Sequence, residues 1–142
     1  MLWYCEHKDL DQFVRAHEDD AGFDICTSVD FEIPAGKQVT IPTGLHVAIP
    51  KGYVGIIKPR SGLSMRVGTD TLAGVVDAGY RGEVKVVLTA LDAPVTFHRN
   101  DKIAQMIVLK RYTGEVTRVD SLEELGETDR GTNGFGSTGG IQ

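Results

Sequence analysis

Gln38-Val39-Thr40-Ile41-Pro42-Thr43-Gly44-Leu45-His46-Val47-Ala48-Ile49-Pro50 decides the fold class. Val39 and Ile41, then Leu45, Val47 and Ile49, fall on every second position, the spacing of a strand buried on one face. Pro42-Thr43-Gly44 between them reads as a turn. The same rhythm continues outward. Pro50-Lys51-Gly52 is a second turn before Tyr53-Val54-Gly55-Ile56-Ile57, and Val84, Val86 and Leu88 alternate with Glu83, Lys85 and Val87. Residues 103–109 form a nearly unbroken apolar run, as in a strand buried on both faces. Helical spacing is confined to Ser61 through Arg66 and to Ser121-Leu122-Glu123-Glu124-Leu125. Short strands punctuated by Gly and Pro argue an all-β sandwich or barrel.

The composition bounds what such a domain can do. The chain has 142 residues, 41% of them hydrophobic, which is one ordinary domain with a real core. Its 17 glycines exceed the usual share and point to many turns and close backbone approaches. A formal charge of −5 excludes non-specific binding of long nucleic acid, so any phosphate site is a local cluster of cations. Cys5 and Cys26 have no metal or redox spacing and read as free thiols. The opening residues meet charge too early for a signal peptide, and no run reaches membrane-spanning length. The expected setting is soluble, intracellular and cytoplasmic.

Five clusters carry residues that a β fold does not need. Asp24, in Ala21-Gly22-Phe23-Asp24-Ile25, is a carboxylate amid apolar neighbours; it closes a turn or meets Mg²⁺ through water. Pro59-Arg60-Ser61-Gly62-Leu63-Ser64 sets a guanidinium and hydroxyls where a strand gives way to a helix, suited either to an N-cap or to an anion. Gly74-Val75-Val76-Asp77-Ala78-Gly79-Tyr80-Arg81-Gly82 offers a glycine-flanked hairpin with a carboxylate at a strand end. Asp77 is there a turn former or a general base. In Asp101-Lys102-Ile103-Ala104-Gln105 an amide interrupts the apolar strand and needs a partner, structural or ligand. The last thirteen residues, from Arg130 to Gln142, include five glycines with one cation, one ring and a Ser-Thr pair. That is a mobile tail, or the charge, stacking face and donors that a nucleoside triphosphate requires.

In this order and spacing, AGFDI, PRSGLS, GVVDAGYRG, DKIAQ and RGTNGFGSTG resemble the five motifs of the trimeric deoxyuridine triphosphate nucleotidohydrolases, or dUTPases. The resemblance runs from about residue 21 to residue 139. It implies a jelly-roll-like, distorted β-barrel over residues 1–126, assembled as a homotrimer with active sites shared between subunits. Residues 127–142 would form a flexible arm that closes over a site built by other chains. About fifteen extended residues reach roughly 50 Å, enough to cross to a neighbour.

The resemblance also implies roles. Asp77 would activate the water that attacks the α-phosphorus of dUTP, giving dUMP and pyrophosphate. Tyr80 would pack on the deoxyribose and exclude a 2′-hydroxyl, while the backbone of residues 74–77, Gly74 and Val76 included, reads the uracil edge. Arg60, Ser61 and Gly62 would hold phosphates, Gln105 would add a phosphate or water contact, and Asp24 would touch the hydration shell of a Mg²⁺ bridging the phosphates. Phe135 would stack on uracil. Arg130, Ser137 and Thr138 would clamp the γ-phosphate, with Gly136 also at the substrate. Two positions depart from the family pattern: Lys102 stands where Arg is common, and Thr71 where relatives often carry a base-contacting Asn. The related dCTP deaminases carry a glutamate on the strand after the third motif, and residues 84–89 have none. A nucleotide-gated regulatory binding protein of the same fold is the other alternative.

Overall fold

A computed structural model describes residues 1–132. The chain divides into two compact units, Met1–Tyr112 and Thr113–Gln142. The first is all-β and jelly-roll-like. Its strands are β1 (Leu2–Cys5), β2 (Gly22–Cys26), β3 (Phe31–Ile33), β4 (Gln38–Ile41), β5 (Leu45–Ala48), β6 (Tyr53–Lys58), β7 (Thr69–Leu72), β8 (Val75–Val76), β9 (Val86–Ala90), β10 (Val95–Phe97) and β11 (Lys102–Lys110). One helix, α1 (Ser61–Val67), separates β6 from β7. Every pairing is antiparallel, in sheets ordered β2-β11-β6-β8, β4-β9-β7, β1-β5 and β3-β10. Among the described residues, no helix is long and apolar enough to cross a membrane.

The period-two residues do face inward. Ile41, Leu45, Val47, Val86 and Leu88 are buried together with Ile25, Ile33, Ile103 and Met106. Truncating one such fully buried side chain, Leu88→Ala for example, costs about 2–5 kcal/mol. The turn at residues 42–44, however, closes no hairpin: β4 pairs with β9 and β5 with β1. Residues 74–82 also form no hairpin. Val75 and Val76 instead lie at the edge of the four-stranded sheet, opposite Ile56 and Gly55 of β6. Strand β11 is buried on both faces only in its first half, and Leu109 is exposed. Asp24 closes no turn; it sits mid-strand in β2, its N–H donating to Val14 O at 2.8 Å.

Buried polar side chains fasten the layers. Gln12 donates to the carbonyls of Cys26 (2.7 Å) and Thr43 (2.8 Å) and accepts from the Cys26 N–H at 3.0 Å. Thr43 Oγ1 donates to Val84 O at 2.6 Å and accepts from the Leu45 N–H. The Glu83 carboxylate accepts from the N–H groups of Thr43 (2.9 Å) and Gly44 (3.0 Å). Burial opposes its charge, but those two N–H groups and the nearby Lys85 ammonium together hold its pKa below the usual carboxylate range. Both cysteines are free thiols, Cys26 buried and Cys5 half-buried. Burial pushes the Cys26 thiol up to about 11.

In the second unit, the described residues hold a short 3₁₀ turn, Glu123–Leu125, whose Glu124 carboxylate accepts from the Ser121 N–H at 3.1 Å.

These fastenings can be probed by labelling and by melts. A thiol-alkylating reagent at neutral pH should label native chain at Cys5 alone, and both cysteines only in denaturant; equal labelling of Cys26 in the native state would contradict its burial. Glu83→Ala leaves two N–H groups without their acceptor and should cost about 1–3 kcal/mol in denaturant melts. Because the folded-state pKa of Glu83 lies below its unfolded value, its charge stabilises the fold at neutral pH. The stability gap between wild type and Glu83→Gln should therefore shrink as pH falls from about 5 through the carboxylate range. A gap that widens in acid would reverse the assignment.

Candidate active site

Four of the five motif segments meet in two clefts of the first unit. Strand β11 sets the first cleft by register, because Gln105 stands opposite Asp24 of β2 on one side and Lys58 of β6 on the other. Direct partners across antiparallel strands point to the same face. From Lys58 the chain runs through Pro59 into α1, which brings Arg60, Ser61 and Gly62 to the same place. The resulting cleft, about 270 Å³, is lined by Asp24, Arg60, Ser61, Gly62 and Gln105, and also by Asp20 and Arg66. Gln105 Nε2 donates to Pro59 O at 3.0 Å, which fixes its amide. Gly22 lies against that amide; a Cβ there would lie 3.0 Å from the Gln105 side-chain carbonyl carbon.

Asp24 is 8% exposed, and a carboxylate in that position needs compensation. Arg60 Nε lies 3.1 Å from Oδ1 and Lys102 Nζ 2.9 Å from Oδ2. Arg60 Nη1 also donates to Lys102 O at 3.3 Å. With Asp20 and Arg66 on the same wall and Lys102 behind Asp24, three cations face two carboxylates, which leaves one net positive charge, the sign a polyphosphate needs. Lys102 thus supplies by a point charge what the more usual Arg would supply by a fork.

The second cleft, about 280 Å³, is lined by Ile57, Gly74, Val75, Val76, Asp77, Tyr80, Glu83 and Lys85 among others. Gly74 has φ 105°, and a Cβ there would lie 2.9 Å from Ile57 O, so only glycine permits this approach. Ile57 N–H donates to Gly74 O at 2.8 Å. Beyond Val76 the chain turns, with Tyr80 N–H donating to Asp77 O at 3.0 Å and the Asp77 side chain exposed at the strand end. The Tyr80 hydroxyl donates to Glu83 O at 2.8 Å, and its ring lies over Gly82, where a Cβ would fall 2.6 Å from a ring carbon. His46 on β5 holds the loop from outside, Nδ1 on Arg81 O and Nε2 on Glu6, each at 2.9 Å. Those contacts, the Arg81 carbonyl first, raise the His46 pKa.

Not every expected residue joins these groups. Thr71 lies on β7 opposite Leu88 and borders neither cleft, its N–H accepted by the Asp70 carboxylate at 2.7 Å. Arg130 belongs to the second unit, in a turn where Gly131 N–H donates to Thr128 O at 3.0 Å. Phe135, Gly136, Ser137 and Thr138 lie outside the described residues. Asp20, Arg66, Glu83 and Lys85 line the clefts without having been singled out from sequence. For Arg66 a signal existed: it stands four residues after Gly62, one helical turn away.

Among the described residues no cluster of three or more His, Cys, Asp or Glu could hold a metal ion. Both Asp24 oxygens already face cations. This donor set does not fit a protein-held Mg²⁺. It fits one carried in by phosphate oxygens, as this small, strongly hydrated ion often is.

The dUTPase family model matches residues 8–139. The deoxyuridine 5'-triphosphate nucleotidohydrolase of Mycobacterium tuberculosis is 46% identical over 132 residues, covering 89% of this chain and 86% of the relative. That of Mycolicibacterium gilvum is 48% identical over 138 residues, 93% and 90% of the two chains. Among solved structures, the dUTPase of Staphylococcus bacteriophage 80alpha with dUpNHpp superposes with a TM-score of 0.84 at 26% identity, covering 97% of each chain. A mutant dUTPase from phage phi11 of S. aureus, which coordinates a structural Mg(II) ion, superposes with a TM-score of 0.77 at 23% identity, covering 86% of this chain and 97% of that one. A family match spanning nearly the whole sequence, with close relatives of one activity, agrees with the motif order: the chain belongs to the dUTPase family.

Proposed function

We propose that this protein hydrolyses dUTP to dUMP and pyrophosphate, at sites completed between copies in a homotrimer. The observation that carries the reading is the division of motif residues between two clefts. One is polar and cationic, as triphosphate binding requires. The other joins an apolar floor to a carboxylate and a fixed aromatic ring, as a nucleoside requires. The clefts share no lining residue. A dUTP molecule touching both sets would then bridge two chains, with the arm of residues 127–142 closing over it. In cells, the reaction would limit uracil in DNA and supply dUMP for dTTP synthesis.

In this mechanism Arg60, Ser61, Gly62 and Gln105 bind the phosphate chain. Asp77 accepts a proton from a water as its oxygen attacks the α-phosphorus, and pyrophosphate leaves from the opposite side. A Mg²⁺ arriving with the triphosphate would be held by its phosphate oxygens and would supply charge neutralisation there. Strand β8 is a sheet edge, so its outer N–H and C=O groups are available to pair with uracil. A site that hydrogen-bonds one base edge leaves groups unpaired when another base enters, a discrimination of roughly 10⁴ or more. Tyr80, held at both its ring face and its hydroxyl, leaves no room for a ribose 2′-hydroxyl. Deamination fits poorly, because the carboxylate of Glu83 in this cleft is committed to the Thr43 and Gly44 N–H groups.

The test is a product assay with Mg²⁺ and dUTP, dCTP, dTTP or UTP in separate reactions. Only dUTP should give its monophosphate and pyrophosphate at an appreciable rate. Asp77→Asn should lower kcat by about 10²–10⁴-fold, the range for losing a general base, with dUTP still bound. Equal turnover of UTP would overturn the role of Tyr80, and near-normal kcat in Asp77→Asn would remove that residue from the chemistry.

A further inference from the structure

Arg66 remains unexplained by the motif roles. It stands in the last turn of α1, exposed, and lines the cationic cleft with Arg60, Ser61 and Gly62. Helical side chains lean toward the N-terminus, so a residue covers the surface one turn before its own Cα. Arg66 does this: its Nε–H donates to Gly62 O at 3.0 Å. A Cβ on Gly62 would lie 3.8 Å from Arg66 Nη2. The guanidinium is thereby oriented over the segment that begins the helix, while its terminal N–H groups stay available.

Its electrostatic position differs from that of the other two cations. Arg60 and Lys102 share the Asp24 carboxylate. Among the described residues, no carboxylate lies within ion-pair distance of Arg66. Asp20 lines the same cleft but lies beyond that distance, so Arg66 is the cation of this cleft that no carboxylate pairs. Arg66 also borders the adjoining groove with Lys102 and Asp101, but the Nε–Gly62 bond turns its fork back over the helix start.

We propose that Arg66 is a further substrate-binding residue, contacting the β,γ end of the triphosphate. The assignment rests on the dUTP reading of the two clefts. It needs only an anion in the cationic cleft, and a planar fork suits phosphate oxygens.

The experiment measures binding of dUMP and of dUpNHpp, a triphosphate analogue whose α–β bridge is nitrogen, to wild type, Arg66→Gln and Arg66→Lys. Arg66→Gln should weaken dUpNHpp by roughly 10- to 100-fold, the range for one charge-assisted hydrogen bond, and leave dUMP unchanged. Arg66→Lys should recover part of the loss, since it keeps the charge without the fork. A merely structural role would lower the melting temperature and weaken both nucleotides alike, which overturns the proposal. Unchanged dUpNHpp affinity in Arg66→Gln, with wild type binding both nucleotides, overturns it while leaving the dUTP reading intact. A wild-type chain that binds neither nucleotide overturns that reading and the Arg66 assignment together.

Discussion

A nearly buried carboxylate held between two cations ties the cationic cleft together. Asp24 comes from β2, Arg60 from the approach to α1 and Lys102 from the first residue of β11, so one anion fixes three segments distant in sequence. Either cation alone still compensates Asp24, and both are about a third exposed, so losing one costs less than the roughly 3–5 kcal/mol of breaking a fully buried pair. The triad thus joins three segments at the wall of this cleft. The same contacts occupy both Asp24 oxygens, so a Mg²⁺ would be held by the phosphate oxygens of the nucleotide and not by Asp24.

The second cleft depends on different fastenings. Glu83 and Thr43 hold the end of the loop after β8 to the turn between β4 and β5, and His46 holds its tip. These bonds leave the Asp77 side chain outside the core, on a loop whose backbone is pinned. A functional carboxylate on a rigid support is the arrangement that positioned chemistry needs. The proposal that each cleft is half of a site rests on their having no lining residue in common.

Sequence patterning made the strands and the core legible, and left their neighbours hidden. Alternation at Val39, Ile41, Leu45 and Val47 tells which face is buried, yet it carries no information on whether β4 pairs with β5 or with β9. Residues 74–82 looked like a hairpin because glycines flank them, but the ladder partner of Val75 and Val76 lies upstream, beyond α1 and β7, in β6. Asp24 looked like a turn former because its compensating charges stand far along the chain. Motif order found Asp24, Arg60, Ser61, Gly62 and Gln105 of one cleft and Gly74, Val76, Asp77 and Tyr80 of the other; Thr71 was drawn in by its position before the third motif, whereas β7 carries it into another sheet. Arg66 was missed because an exposed helical arginine has no signature except its spacing from Gly62.

The most direct test of the shared-site account uses two inactive variants with different tags, Asp77→Asn and Arg60→Gln, the second leaving Lys102 on Asp24. Co-expressed and purified through both tags, mixed trimers always contain one junction where an intact cationic cleft meets an intact Asp77 cleft. A closed three-membered ring with one complete site should show about one third of wild-type kcat per trimer. Mixed oligomers no more active than either variant alone, or no doubly tagged species at all, would contradict it.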